Sequence, residues 1–170
     1  YHTAIETSLF SGKEILTIAA QWTDMFIVDI KLFDPDGHFQ NTGRDNTCIH
    51  ENLRHLCSCF PVKILIRIPL IPGLSDTIDN LTSIADFLLS LDRSLPVELL
   101  PYNALAARKY KLMGLSPFSP VKKNGVSLDE AKDIFSKRGI DCRVLNYQKI
   151  KRKPCLGKIN SILRDRAISM

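Results

Sequence analysis

Apolar positions along this chain follow two alternating periods. Short runs rich in branched aliphatics read as buried strands, and between them apolar residues recur every three or four positions. Residues 3–7 form a short extended stretch. Ser11, with Glu14 three residues later, reads as a capping box opening a helix whose face holds Ile15, Leu16 and Ala19. A strand follows at about 25–32, ending Phe26-Ile27-Val28-Asp29-Ile30-Lys31-Leu32. Asn46 is placed to cap a helix in which Ile49, Leu53 and Leu56 share a side. Lys63 to Pro69 reads as a strand, and Ser75 or Asp76 precedes a helix with Ile78, Leu81, Ala85 and Leu88 on one face. A strand from about Pro96 to Pro101, a second capping box at Ser127 and Glu130 before a helix near 127–138, and a last strand at Arg143-Val144-Leu145 complete the pattern.

Strands alternating with one-faced helices, joined by connections too long for hairpins, predict an α/β fold with a parallel sheet. Two architectures compete: a doubly wound open sheet and a β/α barrel. No G-x-G-x-x-G or G-x-x-x-x-G-K-S/T loop follows any strand, which weakens the nucleotide-binding open sheet. Polar residues instead cluster within strands or at their C-terminal ends, as Glu6-Thr7, Asp29 and Lys31, Arg67, and Tyr102-Asn103. Sites of β/α barrels assemble at that rim. Four or five strands do not close a barrel, however, so the count leaves the architecture open at this point.

Asp29 and Lys31 stand two apart on one face of an otherwise apolar strand, where an unused charged pair is costly. They read either as a structural ion pair or as a cation for a ligand carboxylate beside oxygens for a hard cation. Glu6 and Thr7 either cap a turn or add oxygen ligands from the neighbouring strand. Arg67 either snorkels or sets a fixed positive charge in the site. Tyr102 and Asn103 are turn residues or hydrogen-bond donors to a ribose or a peptide backbone.

Taken in order, these residues resemble the glycyl-radical-enzyme activating enzymes of the pyruvate formate-lyase activating type. The matching positions are His2-Thr3-Ala4-Ile5-Glu6-Thr7-Ser8; Asp29-Ile30-Lys31; Asp36, His38, Thr42-Gly43, Asn46 and Asn52; Arg67 to Gly73 with Asp76 and Asn80; Leu99-Leu100-Pro101-Tyr102; and Lys109-Tyr110 with Met113-Gly114. The likeness covers about residues 2–115 and implies the C-terminal part of a radical S-adenosylmethionine enzyme, a partial parallel β/α barrel lacking its N-terminal strands. In that family a [4Fe–4S] cluster on three cysteines chelates the cofactor, and a 5′-deoxyadenosyl radical takes hydrogen from a glycine of a partner enzyme. By position, Lys31 would approach the cofactor carboxylate, Arg67 would support the cofactor, and Asn103, in place of a family His, would lie near the ribose. Asp29 with Glu6 and Thr7 would hold a cation, a monovalent one, beside it.

Departures bound this reading. The Cys-x-x-x-Cys-x-x-Cys motif and the Gly-Gly-Glu-Pro segment are absent, and Leu9 stands where a Gly often follows Thr-Ser. The chain reads as beginning in mid-barrel, unable to bind the cluster and inactive alone. Its partners would be a glycyl radical enzyme and, for the parent enzyme, an electron donor such as flavodoxin or ferredoxin. The alternatives are a degenerate, non-catalytic module that docks a glycyl radical enzyme, and a half-barrel for a phosphate or sugar, which the lack of a phosphate loop disfavours.

Five cysteines, an odd number without framework spacing, point to reduced thiols and a cytoplasmic setting. No membrane span or signal peptide is expected. The net charge of +5 lies wholly in the tail: residues 1–150 hold 17 basic and 17 acidic side chains, residues 151–170 six basic ones against Asp165. Residues 1–150 are therefore assigned to the barrel part and 151–170 to a basic tail. No aromatic residues interleave in that tail to stack on bases, so nucleic acid is not expected. The first strand should leave an unpaired sheet edge, from which self-association is expected.

Overall fold

A computed structural model describes residues 1–102, 106–116 and 125–145. In chain order the elements are β1 (Ala4–Thr7), α1 (Lys13–Gln21), β2 (Met25–Asp29), α2 (Pro35–Thr42), α3 (Thr47–Cys59), β3 (Lys63–Leu70), α4 (Ile78–Leu89), β4 (Val97–Pro101), α5 (Ala106–Leu112), α6 (Leu128–Ser136) and β5 (Cys142–Val144). The five strands are all parallel and stand in the order β1-β2-β3-β4-β5. Sequential order means that every crossover steps the same way. With crossovers of one hand, the helices gather on one face. A doubly wound sheet would reverse direction, so this is the singly wound topology of a partial barrel.

The two faces of the sheet differ as the strand period of two requires. One carries Phe26, Val28, Ile64, Ile66, Ile68, Val97, Leu99 and Cys142, all buried in a single core with Leu53 and Leu56 of α3, Leu81, Ile84 and Leu88 of α4, and Ala131 and Phe135 of α6. The other carries Glu6, Ile27, Asp29, Leu65, Arg67, Glu98 and Arg143. Leu65 is buried there, outside the main core.

Several local expectations need correction. β2 stops at Asp29, so Lys31 belongs to the following loop. Helix α1 starts from Gly12 with no side-chain cap, and Ser11 plays no such part. Its buried residues are Leu16 and Ala20, while Ile15 is 64% exposed. Helix α4 is capped by Thr77, whose hydroxyl accepts from the Asn80 backbone N–H; Ile78, expected on its buried face, is exposed. Ser75 instead donates to the Pro69 carbonyl, and Asp76 accepts from Gly73 N–H at 2.7 Å. The Ser127–Glu130 capping box is present in full.

Helices α2 and α5 lack the apolar period that would reveal them. Helix α2 buries only His38, yet its punctuation is plain: Asp34 caps it, Pro35 occupies the first turn, and Gly43 ends it at φ 75°. Asn103 and residues 151–170 lie outside the described residues.

Three asparagines fasten the loops at the C-terminal ends of the strands. Asn52 Nδ2 donates to the carbonyls of Leu9 and Ser11, each at 2.9 Å. Asn46, expected to cap α3, makes no side-chain cap bond and sends Nδ2 to the carbonyls of Leu32 and Phe33 at 2.7 and 2.9 Å. Asn80 Nδ2 donates to the carbonyls of Ser75 (2.8 Å) and Lys31 (3.2 Å), and its Oδ1 accepts from Phe33 N–H at 2.8 Å. Loops after β1, β2 and β3 are thus tied to the helices behind them.

Leu9 is the one non-glycine residue with positive φ among the described residues, at 61°, and it is 1% exposed. The backbone there favours glycine by about 1–2 kcal/mol, while a buried leucine side chain is worth about 2–5 kcal/mol. Burial wins, so Leu9→Gly should lose about 1–3 kcal/mol of stability on these two terms. Urea unfolding measures this directly, and a stabilised variant would contradict it.

Candidate functional site

The face of the sheet away from the main core carries a row of alternating charge. Backbone register pairs Asp29 with Arg67, Arg67 with Glu98, and Glu98 with Arg143, one residue from each of β2, β3, β4 and β5. Adjacent strands lie about 4.8 Å apart, within reach of these side chains. Glu98 is the most enclosed member at 3% exposure. Its Oε2 accepts from Arg67 Nε at 2.7 Å, and its Oε1 accepts from Arg143 Nε at 3.0 Å, with Nη2 of the same guanidinium also 3.0 Å away. Arg67 extends Nη1 the other way to Glu6 Oε1, at 2.9 Å.

Burial by itself would lower the Arg67 pKa. The hydrogen bonds to Glu98 and then Glu6 overcome that and hold it above its ordinary value. Arg67 is therefore a fixed cation fastened on two sides, and does not snorkel.

Asp29 has the opposite character. Its Oδ2 lies 3.8 Å from Lys31 Nζ, and its Oδ1 is buried with no hydrogen-bond partner. Burial pushes its carboxyl above the usual range; Lys31 opposes the shift and Glu6 adds to it. An unpartnered carboxylate oxygen beside a cation is costly to the fold and suits a site that receives a donor from a ligand.

The structure thus brings together Glu6, Asp29, Lys31 and Arg67, and adds Glu98 and Arg143, which reading the sequence missed. A usable signal for Glu98 existed: an acid inside the buried run Val97-Glu98-Leu99-Leu100. Thr7 does not join them. It lies in the row of Val28, on the core face, and its hydroxyl accepts from Leu9 N–H at 2.9 Å. With Thr7 turned away and Glu6 bound to a guanidinium, the expected cation trio is not assembled. A cavity of about 540 Å³ lined by Leu32, Phe33, Leu74 and Asn80 among others includes none of the charged row.

The four cysteines among the described residues do not fit an iron–sulfur cluster; Cys155 lies outside them. Cys48, Cys57 and Cys59 lie on α3 and Cys142 on β5, and no group of three or more His, Cys, Asp or Glu side chains suited to a metal occurs among the described residues. Burial pushes the Cys142 thiol up to about 11 and raises Cys57 and Cys48 as well. Such thiols stay protonated and ligate poorly.

No family model matches the chain. The chain is 35% identical over 113 residues to the isethionate sulfite-lyase activating enzyme of Oleidesulfovibrio alaskensis, covering 66% of this chain and 36% of that protein. Against the 4-hydroxyphenylacetate decarboxylase activating enzyme of Clostridioides difficile, strain CD196, identity is 31% over 147 residues, covering 84% and 46%. Against the pyruvate formate-lyase-activating enzyme of Staphylococcus aureus, strain USA300, it is 34% over 121 residues, covering 68% and 48%. The chain therefore spans less than half the length of these relatives. Among solved structures, a domain of pyruvate-formate lyase-activating enzyme from Bacteroides vulgatus superposes with TM-score 0.68 at 24% identity, covering 85% of this chain and 81% of that one. A radical SAM methyltransferase from Sphaerobacter thermophilus gives 0.52 at 16% identity, covering 84% and 39%. At those identities the two structures establish the fold, a partial β/α barrel.

Two stability tests follow from this geometry. Glu98→Ala leaves two guanidiniums without their shared carboxylate and should cost about 3–5 kcal/mol, as for other broken buried ion pairs; a loss under 1 kcal/mol in urea unfolding would refute the buried clamp. Asp29→Asn should raise stability at neutral pH. The raised carboxyl pKa makes a contribution that is fully present below the unfolded value near 3.8 and lost as pH rises through the folded value. The gain from Asn should therefore be largest near pH 7 and fade towards pH 4 in thermal melts; a loss of stability at pH 7 would contradict it.

Proposed function

We propose a function on the premise that this chain is a relative of the glycyl-radical-enzyme activating enzymes, matching 36–48% of the length of three of them. In this reading the charged face binds S-adenosylmethionine. What carries it is the pair at the C-terminal end of β2: Lys31, a cation outside the strand, next to Asp29 with a buried oxygen that nothing satisfies. Lys31 meets the carboxylate of the methionine end, and Asp29 Oδ1 accepts from a donor on the ligand. Arg67, held by Glu98 and Glu6, supplies fixed positive charge to the same face. By sequence position Asn103 is assigned to the ribose.

When bound, S-adenosylmethionine supplies the 5′-deoxyadenosyl radical that takes the Cα hydrogen of a glycine. The protein substrate in this reading is a glycyl radical enzyme, and the electron comes from a flavodoxin or ferredoxin through a cluster that the described residues do not fit. Catalysis is accordingly proposed for the parent enzyme, and this chain's own residues bind and orient the cofactor. None of the helices among the described residues is long and apolar enough to cross a membrane.

Calorimetric titration of the chain with S-adenosylmethionine tests this. Binding should be measurable below millimolar cofactor, and Lys31→Ala should weaken it about 10- to 100-fold, the worth of a charged hydrogen bond. Absence of heat at millimolar cofactor, or an unchanged affinity in the variant, would sink the reading.

A further inference from the structure

We propose that Glu98 is a positioning residue that keeps Asp29 available, by holding the guanidinium of Arg67 away from it. In the row of register Arg67 stands between two acids, Asp29 on β2 and Glu98 on β4. It is the natural partner of either, since both side chains lie on the same face one strand away. The guanidinium turns to Glu98, at 2.7 Å through Nε, and spends Nη1 on Glu6 at 2.9 Å. Asp29 is left with only Lys31, at 3.8 Å, and an empty Oδ1.

Burial decides the competition. Glu98 is almost wholly enclosed and Asp29 is 28% exposed, so leaving Glu98 unpaired would cost more. Arg143 strengthens the choice by approaching Glu98 Oε1 from the far side, fixing the carboxylate plane that receives Arg67. Remove the charge of Glu98 and Arg67 gains by swinging to Asp29, closing the oxygen that a ligand would use.

The inference rests on the proposed cofactor site, yet its test reads Asp29 directly. The groups facing Asp29 are Lys31, Glu6 and Arg67. In the folded 170-residue chain, carbon-detected NMR titration of the Asp29 carboxyl should give a pKa at least one unit lower in Glu98→Gln than in the wild type, because a guanidinium has arrived. Loss of the Glu98 charge alone also lowers that carboxyl, so the drop caused by Glu98→Gln should shrink to well under one unit in an Arg67→Gln background, where no guanidinium can arrive; an equal drop in both backgrounds would refute the swing. S-adenosylmethionine affinity should fall about tenfold alongside.

An unshifted or raised Asp29 pKa in the folded variant would overturn the proposal. Should Glu98→Gln not fold, the wild type decides: Arg67 Nε–H must give a slowly exchanging, downfield signal with hindered rotation about Nε–Cζ, and a freely averaging guanidinium would refute the clamp. If the wild type binds no S-adenosylmethionine but the Asp29 titration moves as stated, the functional reading falls and the positioning role stands.

Discussion

A carboxylate cut off from water must be paired, and the pairing of Glu98 organises the charged face of this sheet. Buried on β4, it draws Arg67 from β3 and Arg143 from β5, so one acid joins three strands through side chains as well as backbone. Arg67 then recruits Glu6 from β1. Only Asp29 is passed over, and it keeps a buried oxygen unsatisfied. Natural structures rarely retain such an atom without use. In the function proposed above, this oxygen beside Lys31, at the C-terminal end of a strand in a partial barrel, is the one that receives the ligand.

The rim around that point is held by amides. Asn52 donates to two carbonyls in the loop after β1, Asn46 to two in the loop after β2, and Asn80 to one after β2 and one after β3. Loop backbone next to a site carries polar groups that cannot all reach water, and a side-chain amide satisfies two carbonyls at once. Leu9 belongs to the same arrangement. Its left-handed backbone turns the chain towards Asn52, and its buried side chain offsets the strain.

Much of this was legible in the residues. The alternation of apolar strands with one-faced helices gave the parallel α/β class, and polar residues at strand ends pointed to the barrel rim. Glu6, Asp29, Lys31 and Arg67 were recognisable from spacing and do converge. Helix α2 escaped because it buries so little that the apolar period is silent, although Asp34-Pro35 and Gly43 announce its ends. Thr7 was misassigned because Glu6 and Thr7, adjacent on a strand, necessarily face opposite ways. Glu98 escaped because a single acid in an aliphatic run names no partner until the neighbouring strands are known.

By itself, then, the sequence determined the strand and helix types, their parallel connection and the likeness to activating enzymes, since all of these depend on local period and on motif order. Tertiary structure alone decided which charges meet. A period of two tells which residues of one strand share a face, but the register between strands is set by packing of the whole sheet. Placing Asp29, Arg67, Glu98 and Arg143 in one row, and leaving Asp29 the member without a guanidinium, followed from that register and from the unequal burial of two acids competing for one guanidinium.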